Sequence, residues 1–91
     1  MPTKQALIDF LEEKVFRPAE NHPMTDKTIK KKVQCTRMRL NQYRDWETVE
    51  KYFWSAMASD AGKDSYRRLH RIGATAFEDV IEEFKRLCGR T

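Results

Sequence analysis

The chain reads as an all-α protein, a single compact bundle of four to five helices, and three observations lead there. Apolar residues recur at three- and four-residue spacings over most of its length. No window of four or more residues alternates apolar and polar side chains as a half-buried strand does. Ninety-one residues supply one hydrophobic core rather than two, so residues 1–91 are read as one domain.

The first helix is expected over 3–17. At about 100° per residue, Ala6, Leu7, Ile8, Phe10, Leu11 and Val15 cover an arc of roughly 200°, wide enough for a helix central to the core. Asp9, Glu12 and Glu13 lie mostly opposite. The helix is expected to stop before Pro18, because a residue preceding proline is pushed out of the α region. A connection with two prolines, Pro18 and Pro23, follows. The second helix is expected over 25–43, capped by Thr25 or Asp26. Ile29, Val33, Leu40 and Tyr43, with Thr36 in the gap, form a narrow stripe of about 80° suited to one neighbouring helix.

Asp45 is placed to cap a third helix over 46–58, with Trp46, Val49, Phe53, Ala56 and Met57 on one face. Residues 59–64, Ser-Asp-Ala-Gly-Lys-Asp, read as a loop on composition. A short fourth helix is expected over 65–72, capped by Asp64 or Ser65, with Tyr66, Leu69 and Ile72 inward and Gly73 supplying a left-handed end. Thr75 and Glu78 have capping-box spacing. They introduce a fifth helix over 76–88, in which Ala76, Phe77, Val80, Ile81, Phe84, Leu87 and Cys88 oppose Glu78, Asp79, Glu82, Glu83, Lys85 and Arg86.

Composition narrows the function classes. Residues 40% apolar and 35% charged, with only three Gly and three Pro, exclude collagen-like, linker-like and low-complexity chains. Two cysteines, Cys35 and Cys88, are too few for a disulfide framework, so free thiols in a reducing cytoplasm are expected. The N-terminal apolar run is broken by Asp9, Glu12 and Glu13, which fits neither a signal peptide nor a membrane span.

The net charge of +4 is unevenly spread. Residues 25–44 carry seven cations against Asp26 alone, and residues 61–73 carry four against Asp64. Lys30, Arg37 and Arg44 recur every seven residues within about 40° of one another, with Lys27 and Lys31 further round. Lys32 and Arg39 flank the apolar seam on its other side. On the fourth helix Arg67, Arg68 and Arg71 share an arc of about 100°. These eight positions (Lys27, Lys30, Lys31, Arg37, Arg44, Arg67, Arg68 and Arg71) are the candidates for holding phosphates of a nucleic acid. The competing reading is a solvated face whose long stems cover apolar surface.

Sharper motifs do not survive inspection. A helix-turn-helix over 69–84 would present four carboxylates to DNA. Gly62-Lys63 lacks the earlier glycine and following Ser or Thr of a phosphate-binding loop. His22, His70, Cys35 and Cys88 stand at no chelating separation, so no metal, cofactor or small-molecule substrate is indicated. No catalytic residue is indicated either. Trp54 projects about 80° from Trp46, and Met38 and Cys35 lie off the second helix's seam. Trp54, Tyr52 and Met38 are therefore the candidates for an interface with a protein partner or a second copy. The primary expectation is a non-enzymatic protein-interaction or self-associating module, with nucleic-acid binding as the alternative.

Overall fold

Thr3 opens the first helix of the computed structural model, which describes residues 1–74 and 76–90. Its hydroxyl accepts the Ala6 N–H at 3.0 Å, capping α1 (Lys4–Leu11). Pro18 does not end the rod. A π turn over Glu12–Phe16 carries α1 into α2 (Arg17–Asn21), with Pro18 in the first turn of α2. The Arg17 N–H reaches back five residues to the Glu12 carbonyl. That wider turn gives the proline ring room, so the rod gives up only the one ladder bond that Pro18 cannot donate. Extending the rod buries Phe16 and Ala19 along with the expected Leu7, Leu11 and Val15.

His22 ends α2, and its Nδ1 accepts the Met24 N–H at 3.1 Å, so the imidazole serves the turn. Asp26, not Thr25, then caps α3 (Lys27–Gln42) by accepting the Ile29 N–H at 2.9 Å. The seam of α3 is buried as expected at Ile29, Val33 and Leu40. Asp45 caps α4 (Trp46–Ala58) through the Thr48 N–H at 2.8 Å.

The largest departure from expectation is in the stretch 59–64, where all but Ser59 is helical. Ser59 alone separates α4 from α5 (Asp60–Arg71), and its hydroxyl caps α5 by accepting the Gly62 N–H at 3.0 Å. The same hydroxyl donates to the Ala56 carbonyl at 3.0 Å. So abrupt a turn presses the start of α5 onto the end of α4. A Cβ at Gly62 would stand 1.8 Å from the Ala56 carbonyl oxygen and 2.7 Å from its carbon. Gly62 is there because two backbones touch, not because the chain loops.

Gly73 closes α5 as expected, at φ +78°. The Gly73 N–H bonds the His70 carbonyl and the Ala74 N–H the Leu69 carbonyl, which together satisfy the helix's last acceptors. The proposed capping box for the last helix falls on Thr75, outside the described residues. α6 (Phe77–Leu87) starts from Ala76 and ends in a second left-handed glycine, Gly89, at φ +72°. Gly89 turns Arg90 back onto α4, where its guanidinium donates to Glu50 at 2.9 and 3.0 Å. Glu50 is only 5% exposed and also accepts the Trp54 Nε1–H at 3.1 Å.

Among the described residues the fold is thus all-α, five helical rods without a strand. α1 packs against α4 and α6, α5 folds back on α4, and α3 lies along the π turn and α2. Aromatic rings knit the centre: Phe53 and Phe84 are 4.1 Å apart between centroids, Trp54 packs edge-on to both, and Tyr66 meets Phe77 at 4.3 Å. No helix among the described residues is long and apolar enough to cross a membrane.

Replacing Gly62 by alanine is expected to cost more than about 2 kcal/mol, because neither backbone can yield without moving a helix. Gly73→Ala should cost about 1 kcal/mol, since a Cβ there meets empty space and only the positive φ is unfavourable. Urea denaturation of both variants measures the difference.

Candidate functional site

α3 is held most closely from one side. It runs antiparallel to the α1–α2 rod, and Arg37 is the centre of the attachment. Its Nε and one terminal nitrogen grip Glu12 at 2.6 and 2.8 Å, while both terminal nitrogens reach Glu20 at 2.8 Å. Gln34 donates to Glu20 at 2.8 Å, and Lys4 donates to the Asn41 carbonyl at 2.8 Å near the other end. The guanidinium also lies 5.9 Å from the Phe16 ring centroid. In an unbroken α-helix Glu12 and Glu20 would sit about 80° apart. The extra residue in the π turn sets the second back by about 100°, so both carboxylates face α3 and one fork holds them.

This geometry takes Arg37 out of the phosphate candidates of the second helix. Lys30 and Arg44 are exposed on the edge they share with Arg37, but Arg37 between them does not face outward. Arg37 is committed to two internal carboxylates and is only 22% exposed. Lys30 is close enough for its charge to help hold the Glu20 carboxyl below its usual range, an effect due first to the Arg37 hydrogen bonds. Arg44 is exposed beyond the end of α3. Lys27 and Lys31 are exposed on α3, and Arg67 and Arg71 on α5. Arg67 stands 3.9 Å from Asp64, and Arg68 bonds Asp26 at 3.1 Å, linking α5 to the start of α3.

The interface candidates separate too. Trp54 is partly buried against Phe53 and Phe84 and belongs to the core. Met38 is 63% exposed on α3. Tyr52 is half-buried, 6.0 Å from Tyr43. It borders the feature that sequence reasoning missed.

Because α3 leans on the α1–α2 rod, a groove of about 460 Å³ stays unfilled between α3 and the α4–α5 pair. Val15, Phe16, Ile29, Val33, Tyr66 and Leu69 give it an apolar floor. One lip is α3, with Lys32, Cys35 and Arg39; the other carries hydroxyls, Ser55, Ser59 and Ser65. The volume exists because the α4–α5 wall is made of small side chains: Ser55, Ala56, Ser59, Ala61, Gly62 and Ser65. Part of that cluster, residues 59–62, lies in the stretch whose composition reads as a loop, although Gly62 is a contact between helices.

The two thiols are free and differ in setting. Cys35 is exposed on the groove lip, while Cys88 is buried at the C-terminal end of α6. Burial pushes the Cys88 thiol up to about 12, with the Glu50 charge adding to it. Among the described residues no group of three His, Cys, Asp or Glu side chains is placed to hold a metal. No known protein family, curated protein or solved structure matches the chain.

Arg37→Gln is expected to destabilise by about 2 kcal/mol at neutral pH, by leaving two half-buried carboxylates together without their cation. Glu20's native pKa lies below its ordinary value of 4.5, so its share of the stability is fully present above that value. It is lost as pH falls through the lower native value. The gap between wild type and Arg37→Gln in urea unfolding should therefore be wide at pH 7 and narrow in strong acid. In thiol titration the native chain should yield one fast group, Cys35, and the second only on unfolding.

Proposed function

We propose that this protein is a non-enzymatic helical docking module that seats the apolar face of an amphipathic helix from another protein in the groove between α3 and α4–α5. The observation that carries the reading is the groove itself: an apolar floor left open along a helix in a chain of this size. Its volume is within the range of ligand-binding clefts, and it lies between two helices, where a third completes the packing. The cations on the α3 lip complement a partner helix that brings carboxylates beside its apolar stripe. The exposed Cys35 thiol on that lip fits a reducing compartment such as the cytoplasm.

Nucleic-acid binding is the weaker reading. Its central arginine, Arg37, is bound to Glu12 and Glu20. The candidate cations left exposed are divided between α3 and its end (Lys27, Lys30, Lys31, Arg44) and α5 (Arg67, Arg68, Arg71), with Asp64 within reach of Arg67 and Asp26 bonded to Arg68.

Helical peptides selected from a library for binding to the protein should slow thiol modification of Cys35. They should also lose about tenfold or more in affinity for Ala61→Phe, whose ring enters the groove from an exposed position. Selected binders that leave Cys35 equally reactive and bind Ala61→Phe unchanged would place docking elsewhere.

A further inference from the structure

Two exposed cations of α3 lean across the groove to its far side. The Lys32 Nζ donates to the Ser65 hydroxyl at 3.0 Å, joining α3 to α5. The Arg39 guanidinium lies over the Tyr52 ring, 5.5 Å from its centroid, joining α3 to α4. Both belong to one lip, because a separation of seven residues leaves them within about 20° round the helix and about 10 Å apart along it. Arg37, two residues before Arg39, holds two carboxylates. By contrast, no ion pair reaches Lys32 or Arg39 among the described residues. Their present partners are a neutral hydroxyl and an aromatic face.

We infer that Lys32 and Arg39 read two carboxylates seven residues apart on the docked helix, an inference that rests on the docking reading above. A helix lying along α3 repeats the same spacing: acids at i and i+7 stand about 10 Å apart on one edge. Apolar anchors at i+1, i+4 and i+8 then centre about 80° round, where they meet the floor of Val33 and Leu69. Exchange is favourable because a carboxylate adds the opposing charge that a hydroxyl and a ring face lack, and an exposed ion pair of this kind gives up to about tenfold when two such pairs act together. It also draws both side chains off the groove mouth. The opposite lip carries hydroxyls and no charge, so the acids are held on one edge only, which fixes the direction in which the partner lies.

The test uses a helix-bridged peptide with Glu at i and i+7 and Leu at i+1, i+4 and i+8, beside a twin with Lys at the two acidic positions. Each is titrated against the wild type and the Lys32→Glu/Arg39→Glu variant, with circular dichroism confirming that the variant is folded. The wild type should prefer the Glu peptide by about tenfold, and the variant should reverse the preference. Equal binding of both peptides by both proteins, abolished by Ala61→Phe, would overturn the charge code while leaving the docking groove in place. Binding of neither peptide to the wild type would overturn the groove reading and this inference with it.

Discussion

The fork formed by Arg37 with Glu12 and Glu20 decides where the second long helix lies, and most of what is distinctive in this molecule depends on that placement. A guanidinium offers donors in a fixed plane, so it can hold two carboxylates only if both arrive on one side. Glu12 and Glu20 do so because the rod between them contains a π turn. The turn also lets Pro18 sit inside the rod rather than at its end. One local irregularity thus aligns two acids, accommodates a proline and lengthens the surface against which α3 packs. The remaining ties of α3 on that side, from Lys4 and Gln34, reinforce the same orientation.

What α3 gains on one flank it gives up on the other. Towards α4 and α5 it is joined by long side chains: Lys32 to Ser65, Asp26 to Arg68, Arg39 over Tyr52. Between those ties, small residues on the α4–α5 wall leave space that the chain does not fill. The abrupt turn at Ser59 sets this wall, because it folds α5 hard against α4 and requires glycine at position 62. The groove is therefore a consequence of two local features, a π turn in one rod and a one-residue hinge between two others. The docking reading follows from its apolar floor and its one-sided charge.

Much of this fold was legible in the residues. The seam Ile29–Val33–Leu40, the Asp45 cap and the left-handed Gly73 follow rules that act within one turn of helix, and periodicity or residue type exposes them directly. The misjudged places are those where a long-range contact outweighs a local rule. Pro18 should break a helix, yet a widened turn accommodates it while burial of Phe16 and Ala19 extends the rod. Gly62 in a polar stretch should mark a loop, yet backbone contact with Ala56 demands it in a helix. Arg37 shares its helical edge with Lys30 and Arg44, and no one-dimensional pattern tells a solvated cation from one facing acids on a distant segment. The groove was hidden for the same reason: its floor comes from three separated segments, and only the small residues of its wall hinted at unfilled volume.

The placement of α3 is tested most directly by nuclear magnetic resonance of the Arg37 side chain in the intact protein. If the fork holds α3 to the first rod, the Arg37 Nε–H will exchange with water far more slowly than those of Arg67 and Arg71, and will show coupling across its hydrogen bond to the Glu12 carboxylate. An Arg37 signal exchanging as fast as theirs, with no such coupling, would contradict the account, because nothing else of comparable strength fixes α3 on that side.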